Sequence, residues 1–210
     1  QLITPGAVNW MTAGRGIAHS ERTRPEVKAA AHRAHGLQSW VALPREYEET
    51  APAFFHHGSA DLPEFSVDGM QLKLICGKAW GEEAAVQVFS PIFYVDAQMP
   101  AGSTLRLPSE YTDRAAHVGM GDIQVGNTVI KPTQMAVFNA GESIEIRALT
   151  DARVMLLGGE PLSEPRFIWW NFVSSSKDRI VQAQEDWKNG KFGLIPGDDK
   201  EFIPLPDKPL

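Results

Sequence analysis

Glycine and proline constrain this chain more than any other feature, because 18 Gly and 15 Pro divide its 210 residues into short runs of mixed polarity. Both residues are disfavoured inside long helices, proline by its missing N–H and glycine by its entropy. Short runs bounded by turn residues are the pattern of an all-β sandwich or barrel. Candidate strands fall at 9–12, 16–22, 35–42, 70–75, 86–95, 103–107, 115–121, 123–125, 135–138, 143–148 and 153–158. Alternation is clearest in Ser143-Ile-Glu-Ile-Arg-Ala148, which turns Ile144 and Ile146 inward. Asp122 and Gly126-Asn127 mark tight turns. The stretch 47–68 is rich in Pro, Glu, Ala and His and lacks a period, so it reads as a linker or long loop between two β units.

Beyond Gly158-Gly159 the character changes. Ser175-Ser-Lys-Asp178 resembles a capping box, in which the Ser hydroxyl satisfies an early backbone N–H. Ile180, Ala183, Gln184 and Trp187 then recur at helical spacing and Gly190 supplies a stop, which predicts one substantial helix near 176–189. Pro196, Pro204, Pro206 and Pro209 predict an extended tail.

Composition excludes several classes of function. Hydrophobic residues make up 43% of the chain, enough for a buried core. A net charge of −6 argues against a broad nucleic-acid footprint, which needs a basic face. No apolar run approaches the eighteen or so residues that span a bilayer. Cys76 is the single cysteine, so no internal disulfide forms, in keeping with a cytoplasmic location. It lies in the apolar run Leu72-Lys-Leu-Ile-Cys-Gly77 and is expected to be buried and inert.

The candidate chemistry is concentrated in His19-Ser20-Glu21. Residues two apart on a strand share a face, so a strand at 16–22 aims the His19 imidazole and the Glu21 carboxylate into one space. That donor pair suits a borderline divalent metal, although two ligands are too few to hold one. The alternative is a solvated polar pair. His56-His57 cannot complete the set simply, because adjacent side chains on a strand face opposite ways. Trp10 and Met11 are candidates for walling a pocket for a flat aromatic substrate, or else for core packing. Gln38 is a candidate for pointing into the same cavity, or else a rim amide. Gly14-Arg15-Gly16 is not a phosphate loop, since the Gly-Lys-Ser/Thr of a P-loop is absent. Its glycines are expected to permit a turn with positive φ. The second β unit has His117 as its one histidine and is expected to hold no metal.

Pro5-Gly6, Trp10-Met-Thr-Ala-Gly-Arg-Gly16 and His19-Ser-Glu21 together resemble the signature of the pirin family of the cupin superfamily. His35-Gly-Leu-Gln-Ser-Trp-Val41, Gly158-Gly-Glu-Pro-Leu162, Trp169-Trp-Asn-Phe-Val173 and Gly190-Lys-Phe192 are similar to pirin segments in the same order. The resemblance implies two cupin jelly rolls, the first incomplete here, with a C-terminal helix and tail. Residues 1–46 would be the metal-site half of the first cupin, 47–68 the linker, 69–160 the second cupin and 161–210 the helix and tail.

It also implies one divalent transition metal, iron first, with Zn, Ni, Cu, Mn or Co as alternatives. His19 and Glu21 would be two of its ligands. The family's upstream His-x-His pair, which supplies two more, is expected to precede Gln1. The function implied is opening of a flavonol such as quercetin with dioxygen, with Glu21 as catalytic base. The alternative is a metal-binding or redox-sensing regulator that contacts a protein partner. Neither direct nucleic-acid binding nor membrane association is expected.

Overall fold

The computed structural model describes residues 1–31, 33 and 35–207. The chain divides into two compact units, residues 1–11 with 54–162 and residues 12–53 with 163–210.

The first unit is built from antiparallel strands. β1 (Val8–Thr12) and β2 (Ala53–His57) form a two-stranded ribbon. There follow β3 (Glu64–Val67), β4 (Met70–Ala79), β5 (Glu82–Glu83), β6 (Ile92–Met99), β7 (Thr104–Arg106), β8 (Asp113–Met120), β9 (Ile123–Val125), β10 (Thr128–Ile130), β11 (Met135–Phe138), β12 (Glu145–Ala148) and β13 (Ala152–Gly159). One sheet has seven strands in the order β11-β8-β13-β6-β4-β3, with β5 paired to β4, and the other has the order β10-β9-β12-β7.

Alternation makes these strands two-faced. Met70, Leu72 and Leu74 of β4, and Phe93, Val95, Ala97 and Met99 of β6, are buried in one cluster with Ile123, Ile146 and Leu156, so both sheets feed a single core. Ile144 and Ile146 are buried as the alternation predicts. The interior is filled by apolar side chains.

A bulge in β4 changes the face of its last third. Leu74 pairs with Val95 but Cys76 pairs with Tyr94, so one residue is inserted between them. An inserted residue moves the following side chains to the opposite face. Cys76 therefore leaves the main core and is buried beside Leu62 and Val86, against which Val8, Trp10, Val88, Ile92 and Tyr94 pack. Gly77 makes the bulge feasible: its φ is +75°, and a Cβ there would lie 1.7 Å from the Ile92 carbonyl oxygen. Burial pushes the Cys76 thiol pKa up to about 12.

The second unit carries α1 (Pro25–Lys28), the hairpin β14 (Phe167–Trp169) and β15 (Phe172–Ser174), and α2 (Lys177–Lys188). Ser176 caps α2, its Oγ accepting from the Arg179 N–H at 3.4 Å. The cap is one residue later than the sequence suggests, because Ser175 is engaged by Glu48 instead. Ile180 and Ala183 are the buried residues of α2. Trp187 is half-buried, with ring centroids 5.2 Å from Trp170 and 5.9 Å from Phe192.

Three expectations about strands are corrected. Residues 16–22 and 35–42 form no strand, because an extended segment needs a neighbouring edge for its N–H and C=O groups and none pairs with them among the described residues. The strand expected at 86–95 begins only at Ile92; Val86 is buried for packing, outside any ladder. The stretch 47–68, expected to be irregular, carries β2 and β3.

Candidate functional site

The motif segment begins where β1 ends. Buried Thr12 is followed by a tight turn in which the Gly16 N–H donates to the Ala13 carbonyl at 2.9 Å. Gly14 (φ +51°) and Gly16 (φ +131°) adopt the positive φ expected of them. The Arg15 N–H donates to the Thr50 carbonyl at 3.0 Å. Gly16 has a second reason to lack a side chain: a Cβ there would meet the Phe192 ring at 2.1 Å.

From Gly16 to Arg24 the backbone runs without regular structure, and His19, Ser20 and Glu21 are all exposed. Contacts of their neighbours hold the segment. The Arg22 guanidinium donates to both carboxylate oxygens of Asp198, at 2.7 and 2.9 Å, and its Nη1 pairs with Glu201 at 2.6 Å. Arg22, and secondly Ser20, hold the Asp198 carboxyl pKa down to about 2. At the start of the segment, Arg179 of α2 donates to the Arg15 carbonyl at 2.9 Å and pairs with Glu49 at 2.6 Å.

The same unit holds a partly buried carboxylate. Glu48 accepts from the Ser175 N–H at 2.9 Å, from Ser174 Oγ at 3.1 Å and from Ser175 Oγ at 3.0 Å. It also pairs with Arg166 Nε at 2.7 Å. Arg166 in turn donates to the carbonyls of Leu43 and Glu164, each at 2.8 Å. This network fixes the 43–49 turn to the hairpin and to the N-terminus of α2.

His19 and Glu21 are donors of suitable chemistry for a divalent metal, on one exposed segment. Among the described residues no group of three His, Cys, Asp or Glu converges, so these residues do not complete a metal shell by themselves. Trp10 packs against the Leu62, Cys76 and Val86 cluster of the first unit, and Met11 is half-buried on β1. Gln38 is exposed in a stretch without regular structure. Of the other histidines, His56 Nδ1 lies 2.7 Å from Asn9 Oδ1, and His117 sits on β8 opposite Met135. Among the described residues no helix is long and apolar enough to cross a membrane.

Sequence reasoning missed Arg22, Arg179, Phe192, Asp198 and Glu201 as supports of the motif. The one local signal was an arginine directly following His-Ser-Glu; its acidic partners are far along the chain.

Known proteins are similar to this chain over most of its length. Residues 1–41 match the pirin family model, and residues 94–193 match that of the pirin C-terminal cupin domain. A pirin-like protein of Caulobacter vibrioides is 50% identical over 207 residues, covering 98% of this chain and 71% of that protein. Human pirin is 32% identical over 200 residues, covering 91% and 67%. A solved structure of quercetin 2,3-dioxygenase from Acinetobacter baumannii superposes with a TM-score of 0.84 at 31% identity, covering 100% of this chain and 69% of that one. The chain thus spans between 67% and 71% of the length of these three proteins.

Proposed function

This chain belongs to the pirin family, an all-β bicupin family of which it carries the second jelly roll and part of the first, and from that premise we propose that it is a metal-dependent dioxygenase acting on a flavonol such as quercetin. The observation that carries the reading is the exposed His19-x-Glu21 pair at the end of the family signature, in a chain that superposes closely on a quercetin dioxygenase. In this reading one imidazole nitrogen of His19 and one carboxylate oxygen of Glu21 serve one divalent transition metal, and donors outside the described residues complete its shell. When bound, the metal supplies Lewis acidity and a place for dioxygen. In this reading Glu21 also accepts the proton of the substrate hydroxyl, through the carboxylate oxygen that does not serve the metal.

The test compares wild type with His19→Ala and Glu21→Gln. Elemental analysis should show one metal per chain in a protein that carries the further donors, weak or no binding by residues 1–210 alone, and none in His19→Ala. Oxygen uptake with quercetin should vanish in His19→Ala. Glu21→Gln should keep part of the metal, since the amide oxygen is a weaker donor of similar shape, and lose most of the turnover. Equal metal content in wild type and His19→Ala would refute the ligand assignment. One metal per chain with no oxygen uptake on any flavonol would favour a regulator that binds a protein partner.

A further inference from the structure

Among the described residues no strand pairs with the motif segment. Its side-chain anchors come from the C-terminal part of the same unit. At one end the Phe192 ring occupies the space over Gly16, where any Cβ would collide with it. At the other end Arg22 forms a two-pronged contact with Asp198 and reaches Glu201 as well.

The tail that carries these groups is itself fixed to α2. The Trp187 indole donates to the Ile203 carbonyl at 2.9 Å, and the Phe202 ring stacks on Trp187 at 5.2 Å. Phe192 stacks on Phe172 at 6.0 Å. A planar guanidinium bound by both carboxylate oxygens fixes direction as well as distance, which a point charge does not.

We propose that Arg22, Asp198 and Glu201 are positioning residues: the C-terminal tail acts as a clamp that sets the backbone of residues 17–22 and so aims His19 and Glu21. The inference rests on the reading of those two residues as metal ligands. Arg22 and Glu201 are half or more exposed (side chains 52% and 71%), so the clamp contributes little to global stability. Its effect is local order, and that separates it from a merely structural contact.

The experiment uses Asp198→Ala/Glu201→Ala in the whole chain, with three readouts. Amide hydrogen exchange across 17–22 should rise about tenfold or more. Affinity for Ni²⁺, titrated alone by calorimetry, should fall about 10- to 100-fold, the usual penalty for losing groups that orient a ligand. The thermal midpoint should move by no more than about 2 °C. The charge-exchanged pair Arg22→Asp/Asp198→Arg should recover part of the protection, which no loss of bulk packing would do. Unchanged exchange across 17–22 in the double alanine variant overturns the clamp. Raised exchange with unchanged Ni²⁺ affinity, while His19→Ala abolishes binding, also overturns it, because His19 would then need no positioning. If His19→Ala binds Ni²⁺ as wild type does, the ligand reading fails and the positioning role with it, whereas the exchange arm still reports on the contact itself.

Discussion

Glu48 offers the sharpest test of how the second unit is held together. Its side chain is 14% exposed, and that of its ion-pair partner Arg166 is 6% exposed. Removing one member of a buried pair costs about 3–5 kcal/mol, most of it the penalty of leaving the other charge without its counter-charge. Arg166 would keep the Leu43 and Glu164 carbonyls, each at 2.8 Å, which places Glu48→Ala at the lower end. The Ser175 N–H and two serine hydroxyls would also lose their acceptor. One unsatisfied buried donor costs about 1–3 kcal/mol, but water entering the vacated space would replace part of that. The expected loss is therefore about 3–4 kcal/mol for Glu48→Ala. Glu48→Gln keeps the shape and one acceptor oxygen but still leaves Arg166 without its counter-charge, and should lose about 2–3 kcal/mol. With Arg166→Met in the background, removing Glu48 should cost much less, giving a coupling of about 2 kcal/mol. Urea unfolding followed by tryptophan fluorescence reads this directly, since Trp169, Trp170 and Trp187 all lie in the same unit. A loss below about 1 kcal/mol for Glu48→Ala, or a loss within about 0.5 kcal/mol for Glu48→Gln, would refute the argument from buried charge.

Other consequences are as definite. Gly77→Ala should destabilise by about 3 kcal/mol or more, because it combines a positive φ with a Cβ against the Ile92 carbonyl; a change within about 0.5 kcal/mol in the urea midpoint would show that β4 has no such bulge. Cys76 should resist thiol reagents at pH 8 in the folded protein and react fully in urea. Its folded pKa of about 12 lies above the ordinary 9.0, so the stability it contributes is intact below pH 9 and is lost as the pH rises from there towards 12; prompt labelling at pH 8 would contradict its burial. Trp187→Phe keeps the aromatic packing but removes the indole hydrogen bond to Ile203, and should cost about 1 kcal/mol. Trp187→Ala should cost about 2–4 kcal/mol, less than a fully buried tryptophan, and thermal unfolding would register the difference.

Strand periodicity was legible wherever one face of a strand is buried. Residues 123–125 and 135–138 appear with the bounds that alternation predicts, as β9 and β11. Periodicity failed at Val86, which is buried for contact with Leu62 and Cys76 and not through a ladder. It failed at β2 for the opposite reason: Phe54 and Phe55 are adjacent and both exposed, so no alternation marks the strand. For the site, the motif exposed the His19 and Glu21 pair, but the strand expected to carry it is absent. Whether a segment is extended by pairing or by distant side chains is not written in its own residues. Arg22 finds Asp198 at a separation of 176 residues, and no local pattern encodes that.

The division of the chain has a consequence for its biosynthesis. The first unit is complete once Leu162 has been made, whereas the second joins residues 12–53 to residues 163–210. A ribosome adding about 5–20 residues per second needs about 9–35 s to pass from Arg22 to Asp198. In the last part of that interval, after Leu162, the first unit can fold while residues 12–53 still lack the helix, hairpin and tail of their own unit. A released chain ending at Leu162 should therefore resist protease across β3–β13 yet be cut readily between Arg15 and Glu49. The residues of the His19-Ser20-Glu21 motif are thus made early and fixed late.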